Sequence, residues 1–268
     1  MSWLEAIILG LVEGITEFLP VSSTGHLILT QSLLGLKGAA VERHIIIIQG
    51  AAILAVCWEF RQKLLQTAFT LHSDPVSRRF LLNLFIASIP LAVLGLKFED
   101  QIKAVLFNPV SVAIALVVGG VIILWAERRK HEERVQTVDE LTWKDAVKLG
   151  LFQALALIPG TSRSGATIIG GLLSGLSRRT AAEFSFFLAI PALLAATAYD
   201  IWKARAEFAA ADVEPLIVSC VVSFVSALLA TKLLLRFVSK HSFGAFAWYR
   251  IAFGAVILIT AYAGVVHW

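Results

Sequence analysis

Charge is scarce in this sequence: aspartate, glutamate, lysine and arginine make up 16% of its 268 residues, against 58% hydrophobic residues. An ordinary soluble domain carries about 25% charged residues, so that class is excluded and an integral membrane protein is indicated. Cysteine is rarer still. Cys57 and Cys220 lie in apolar segments without metal-ligand spacing, so they read as packing residues and say nothing about redox compartment. The first residues, Met-Ser-Trp-Leu-Glu-Ala, contain no basic stretch and no small-residue cleavage site, and a removable signal peptide is not expected. Soluble domains and long polar linkers are also missing. The net charge of +4 does not indicate a nucleic-acid partner, because the cations fall in short clusters between apolar runs.

What is present is length. Crossing a bilayer takes about 20 apolar residues, and six segments qualify, near residues 44–68, 78–97, 108–127, 179–203, 213–238 and 244–267. Two further apolar regions are interrupted. In one, helix-like sequence up to Leu19 meets a loop at 20–26 and resumes at 27–36. In the other, 146–158 meets a loop at 159–165 and resumes at 166–176. The resumed pieces are too short to span alone, which predicts two re-entrant helical hairpins. Irregular backbone at that depth survives only where protein or a wet cavity covers it.

The halves resemble one another. Gly10-Leu-Val-Glu13 aligns with Gly150-Leu-Phe-Gln153 and, after a one-residue slip, Pro20-Val-Ser-Ser23 aligns with Pro159-Gly-Thr-Ser162. The expected fold is an all-α polytopic membrane protein, a single membrane domain over 1–268 with a first repeat at 1–130 and a second at 140–268. Each repeat is one hairpin plus three spans. Three crossings is an odd number, so the second repeat is inverted, and such folds place their site near the midplane between repeats. Fifteen lysines and arginines fall in connectors around 61–79, 128–148, 178–179 and 232–240, including Lys130, against six around 37–43, 97–103 and 203–205, including Arg205. The richer side is expected to be cytoplasmic, with the first hairpin opening outward and the 128–148 connector near anionic lipid.

Ionisable groups inside apolar sequence are costly and usually functional. Glu13 and Glu17 are spaced i, i+4 on one helix face. Two close carboxylates out of water need a cation, a shared proton or an arginine; magnesium or calcium with water and a phosphate oxygen would complete such a set. The structural alternative is an acid pair bonded to a hydroxyl or a helix end. Ser22, Ser23 and Thr24 precede an apolar helix and read either as N-caps or as groups at an anion-binding helix end. His26 beside a serine supplies a base for a nucleophile, or is simply an internal hydrogen-bonded histidine. Arg163, between Ser162 and Ser164, suits a bidentate phosphate contact or an ion pair with Glu17. Gly25, Gly160 and Gly165 would allow close backbone approach. Gln49, Glu183, Asp200 and Arg250 are weaker candidates: Glu183 pairs with Arg178 or Arg179, and Arg250 satisfies carbonyls or snorkels. Pro90 and Pro191 read as helix kinks.

The strings Glu-Gly-Ile-Thr-Glu-Phe-Leu-Pro-Val-Ser-Ser-Thr-Gly-His (13–26) and Pro-Gly-Thr-Ser-Arg-Ser-Gly-Ala-Thr (159–167) resemble the two signatures of the bacterial undecaprenyl-diphosphate phosphatases, the family associated with bacitracin resistance. The likeness runs nearly end to end and includes Glu-Phe-Ser-Phe at 183–186. It implies hydrolysis of a C55 isoprenyl diphosphate to the monophosphate carrier of cell-wall synthesis. It also implies dependence on a divalent metal, a bacterial inner-membrane location and a site open to the periplasm. The implied metal ligands are Glu13 and Glu17. The family's serine–histidine motif falls on Ser23, Thr24 and His26, and its arginine on Arg163, flanked by Ser162 and Ser164. The site expected from both lines of reading has Glu17, Ser23, His26 and Arg163 in catalysis and Ser22, Thr24, Gly25, Ser162, Ser164, Gly165 and Arg163 in substrate binding. A second lipid-phosphatase family with a Pro-Ser-Gly-His motif needs a histidine after its arginine motif; none follows Arg163 before His241, and that family is set aside.

The expected mechanism has Ser23 as nucleophile and His26 as base and later acid, with attack by His26 or by water left open. A transporter for the monophosphate lipid is the rival reading, since secondary transporters also use inverted repeats and broken helices. The paired glycines Gly119–Gly120 and Gly170–Gly171 permit close helix contacts, internal or across a homodimer.

Overall fold

A computed structural model describes residues 1–129, 132–204 and 210–266; Lys130, Arg205 and the last residue of the expected span 244–267, invoked above, lie outside them. The described residues form eleven α-helices: α1 (Trp3–Thr16), α2 (Ser23–Leu33), α3 (Ala39–Glu59), α4 (Arg61–Thr70), α5 (Pro75–Leu106), α6 (Pro109–Arg128), α7 (Trp143–Ala154), α8 (Arg163–Leu173), α9 (Arg178–Ala204), α10 (Ala210–Val238) and α11 (Gly244–Tyr262). Six of these, α3, α5, α6, α9, α10 and α11, are long and apolar enough to cross a bilayer. The chain is a multi-pass, all-α membrane protein.

Helix ends differ from the expected spans where polar side chains or caps intervene. The segment expected at 44–68 is two helices. α3 ends at Glu59 and α4 starts afresh at Arg61, where Glu59, Arg61 and Lys63 interrupt the apolar run. α5 runs past the expected end at 97 and contains Pro90, while Pro191 lies inside α9. α6 begins where Asn108 caps the Ser111 N–H at 2.9 Å.

The two hairpin helix pairs repeat at a constant offset. Ser2 and Glu5 form a capping box at the start of α1, and Thr142 and Asp145 form one at the start of α7. The short helices α2 and α8 are 11 residues each, about 16 Å long, roughly half the hydrocarbon thickness. Their caps are Ser22 and Ser162, with φ of 72° and 69°, the two non-glycine residues of positive φ among those described. The one-residue slip expected between the signatures is therefore absent from the backbone: Ser22 matches Ser162 at the same offset that relates Gly10 to Gly150. Only the proline has moved, from Pro20 to Pro159.

Each hairpin packs against the other half of the chain: α1 lies on α10, and α7 lies on α5. Gly10 and Gly150 permit this. A Cβ on Gly10 would come within 2.6 Å of the Ser219 carbonyl, and one on Gly150 within 2.6 Å of the Ala87 carbonyl. The paired glycines are also used internally. A Cβ on Gly120 would meet the Ala247 carbonyl at 2.7 Å and one on Gly171 the Ala181 side chain at 2.7 Å, so they carry no argument for a second copy.

The main core is aromatic where the hairpin tips meet α9. Phe18 stands edge-on to Phe186 at 5.6 Å, and Phe187 packs on Phe60 and Phe80. Cations stack on rim tryptophans, Arg129 over Trp125 at 3.9 Å and Arg61 over Trp58 at 5.0 Å, as expected at a membrane interface. Arg179 pairs with Glu183 at 2.8 Å, and Arg178 with Glu127 at 2.6 Å.

Candidate active site

The site lies where the amino ends of α2 and α8 meet. Both helices start from a serine in the left-handed region, a conformation that L side chains rarely adopt and that clusters at functional sites. α1 ends at Thr16, with Glu17 as its C-cap; the chain then turns back through Pro20 and Ser22. The second loop follows the same course from Ala154 to Ser162. Ser164 closes the two tips together, its hydroxyl donating to the Leu19 carbonyl at 2.8 Å.

Arg250, from α11, braces both loops from behind. Its guanidinium is buried and donates to the carbonyls of Pro20, Gly160, Thr161, Ala115 and Leu116 at 3.0–3.3 Å. Of the two alternatives for this residue, carbonyl satisfaction is the one observed. The loop carbonyls it collects would otherwise be unpaired in a dry interior, where each costs about 1–3 kcal/mol.

Glu17 is the hub. Its Oε2 accepts the Ser23 hydroxyl at 2.6 Å, and its Oε1 lies 3.3 Å from Arg163 Nη2. All three side chains are nearly or fully buried. Arg163 also donates from Nη1 to the Ser185 carbonyl at 3.0 Å, and the Thr167 and Ser185 hydroxyls are 2.6 Å apart. Ser162 accepts the Gly165 N–H at 3.1 Å, so it serves as a cap, and its hydroxyl lies 3.1 Å from that of Ser164.

His26 stands apart from Ser23. Its Nδ1 lies 2.8 Å from the Ser22 carbonyl and its Nε2 2.6 Å from the Tyr249 hydroxyl. The hydroxyl of Ser23 is bonded to Glu17 rather than to the expected His26, whose two ring nitrogens are turned to the Ser22 carbonyl and the Tyr249 hydroxyl. Thr24 is exposed and at the rim. Gly25 faces α6 and α11, where a Cβ would meet Phe253 at 3.3 Å, and one on Gly165 would lie 3.3 Å from Arg250 and from Ser162. Both glycines therefore have packing reasons.

Some polar atoms at the site lack partners. Both carboxylate oxygens of Glu13 and the Nε of Arg163 are buried without a hydrogen bond among the described residues, and Glu13 is fully buried. Ser22 makes no side-chain cap to the first turn of α2. An acidic oxygen pair, a guanidinium N–H and free helix N–H groups are complementary to an anion accompanied by a cation. Ser185, within the Glu-Phe-Ser-Phe string at 183–186, and Tyr249 give no sequence signal of their own beyond lying in apolar helices.

A family model described as bacitracin resistance protein BacA matches residues 6–256. The chain belongs to the BacA family. An undecaprenyl-diphosphatase of Dechloromonas aromatica is 58% identical over 265 residues, covering 99% of this chain and 97% of that one. One from Rhodospirillum rubrum, named undecaprenyl-diphosphatase 2, is 59% identical over 266 residues, with the same coverage. One from Nitrosospira multiformis is 56% identical over 271 residues, covering 100% and 99%. BacA membership thus spans both hairpins and all six long helices.

Proposed function

We propose that this protein hydrolyses undecaprenyl diphosphate to undecaprenyl phosphate and inorganic phosphate, recycling the lipid carrier of bacterial cell-wall synthesis. One observation carries the reading most directly: Glu17 binds the Ser23 hydroxyl and the Arg163 guanidinium at once, joining the signatures of both halves. That arrangement brings a hydroxyl, a carboxylate and a guanidinium into one nearly buried cluster, which supports reading them as nucleophile, base and anion-binding cation in a chain similar over nearly its full length to named undecaprenyl-diphosphatases.

In this mechanism the terminal phosphate docks on the free N–H groups of Arg163 and the first turn of α2. Ser23 Oγ attacks phosphorus as its proton passes to Glu17 Oε2. The bond from phosphorus to the bridging oxygen breaks and the lipid monophosphate leaves. Water then attacks the phosphoserine, and Glu17 returns the proton to the serine oxygen as that bond opens. Arg163 neutralises charge on the phosphoryl oxygens throughout.

The residues fit a divalent cation such as magnesium or calcium. Glu13 offers two buried oxygens with no other partner, and Glu17 lies one turn away. The described residues contain no cluster of three or more protein ligands, which suits an ion completed by water and substrate oxygens. When bound, it would screen phosphate charge.

The expected surroundings follow the same reading. The two repeats are inverted, the hairpins re-enter, the basic connectors face the cytoplasm of the inner membrane, and the site opens to the periplasm while the isoprenyl tail stays in lipid. Phosphate release from isoprenyl diphosphates by purified protein in detergent tests the proposal. Release by wild type that chelator and Arg163→Ala abolish supports it. Detergent offers no two sides, so a pure transporter would release none, and that result would overturn it.

A further inference from the structure

His26 is held at both ring nitrogens, and its second partner, Tyr249, comes from the opposite end of the chain. A carbonyl oxygen only accepts, so the contact between Nδ1 and the Ser22 carbonyl places a proton on Nδ1. In the neutral ring Nε2 is then an acceptor, and the phenol 2.6 Å away donates to it. Three nearly parallel rings fix this geometry. His26 stacks on Phe253 with centroids 3.9 Å apart and 10° between planes, and is nearly parallel to Tyr249 at 4°. The neighbouring Arg250 binds the loop carbonyls, so one turn of α11 orients both the loops and the imidazole. Around the rings α6 contributes apolar side chains, among them Val112 and Leu116; Arg250 is the charged neighbour on α11. Tyr249 is 46% exposed, whereas Ser23 and Glu17 are buried.

We propose that Tyr249 is a further residue of the hydrolysis, a positioning residue that holds His26 by its Nε2 edge and carries protons between that nitrogen and the exposed side of the site. The inference rests on the hydrolase reading above. The chemistry needs no new partner. A proton reaching the phenol oxygen from water moves on as the phenol's own proton passes to Nε2. The imidazolium then donates from Nδ1 to Ser22 and from Nε2 to the phenol oxygen, so both contacts survive the change of charge. A histidine bonded only to carbonyls would lose a contact on one side of that change. The role also explains why His26, in the signature, has no bond to Ser23: Glu17 serves the nucleophile, while the proton taken up at Nε2 gives the first turn of α2, where the phosphate docks, a positive charge that returns through the phenol once phosphate has left.

Tyr249→Phe keeps the ring stack and removes the hydroxyl, so the fold is expected to hold, which thermal unfolding in detergent checks. With undecaprenyl diphosphate as substrate, kcat is expected to fall on the order of tenfold or more with KM within about twofold. The loss should vanish in a His26→Ala background, because the phenol acts through the imidazole. In 15N-histidine-labelled protein, the His26 Nε2 resonance should shift on Tyr249→Phe. Wild-type kcat in Tyr249→Phe, an equal loss in the His26→Ala background, or an unmoved Nε2 resonance would each overturn the relay. If wild type itself releases no phosphate, the hydrolase reading fails, and the Nε2 resonance still decides the Tyr249–His26 contact.

Discussion

The hydroxyl of Ser23 donates to the carboxylate of Glu17 at 2.6 Å, although six residues and a reversal of chain direction separate them. The reversal is possible because Ser22 adopts a left-handed backbone, which starts α2 back toward the end of α1. A serine bonded to a carboxylate that is itself anchored by an arginine is oriented before substrate arrives, and orientation supplies much of the rate in such reactions.

Ser23→Ala is expected to lower phosphate release by at least about 10³-fold, and Glu17→Gln by a similar order, since the serine then lacks its base. Labelled terminal phosphate should be trapped on wild-type protein and on His26→Ala, and not on Ser23→Ala. Substantial turnover by Ser23→Ala would assign the attack to water or to His26.

Arg163 makes two directed contacts at once, one to Glu17 and one to the Ser185 carbonyl. Lysine keeps the charge but not the planar fork. Arg163→Lys should therefore lower kcat/KM by about 10²-fold, in the range found for loss of one transition-state donor. Steady-state kinetics on the isoprenyl diphosphate measures it. A loss confined to KM would show that the guanidinium serves ground-state binding alone.

Much of this was legible in the chain and some was not. The six long helices follow from apolar length, since the bilayer accepts nothing shorter. The meeting of Glu17 with Arg163 was one of the two readings that a lone buried arginine allowed. The partner of Ser23 was not legible, because a glutamate six residues away and a histidine three residues away are equally local in sequence. The left-handed turn at Ser22 decides between them, and serine gives no warning of positive φ as glycine does. Tyr249 was hidden for another reason. It is 223 residues from His26, and an aromatic residue in a membrane helix ordinarily signals only packing. The break after Glu59 was visible as charge but was overridden by the apolar stretch that follows it.

Glu13 is buried without a partner for either carboxylate oxygen, an arrangement that costs stability and is retained where a ligand uses it. Glu13→Gln removes the charge at nearly constant shape. In chelator, the variant should unfold at the same or a higher temperature than wild type. Its half-activating concentration of magnesium or calcium should rise by roughly tenfold or more. Activity titrated with metal, alongside thermal unfolding, separates the two effects. An unchanged metal requirement would remove Glu13 from the cation site.

Asp145 offers a test of the fold away from the chemistry. It closes the capping box at the start of α7, taking the Thr142 hydroxyl at 2.7 Å and the Thr142 N–H at 3.0 Å, and it pairs with Arg134. Burial works against its charge, but the Arg134 guanidinium and the two Thr142 bonds hold its carboxyl below the ordinary carboxylate range. A carboxyl lowered in the folded state contributes stability that is full above its unfolded value, about 3.9, and is lost as pH falls through the folded value. Unfolding temperature should therefore drop as pH is taken below about 4, by more in wild type than in Asp145→Asn. At neutral pH the variant should be less stable by about 1 kcal/mol, the worth of an ion pair whose arginine is half exposed, since the Thr142 cap on the backbone N–H of residue 145 is kept. Parallel acid sensitivity in the two proteins would show that other carboxylates carry it. If the difference appears, the start of α7 is held by Arg134 and Thr142, and the placement of Arg163, beyond the other end of α7, depends on them.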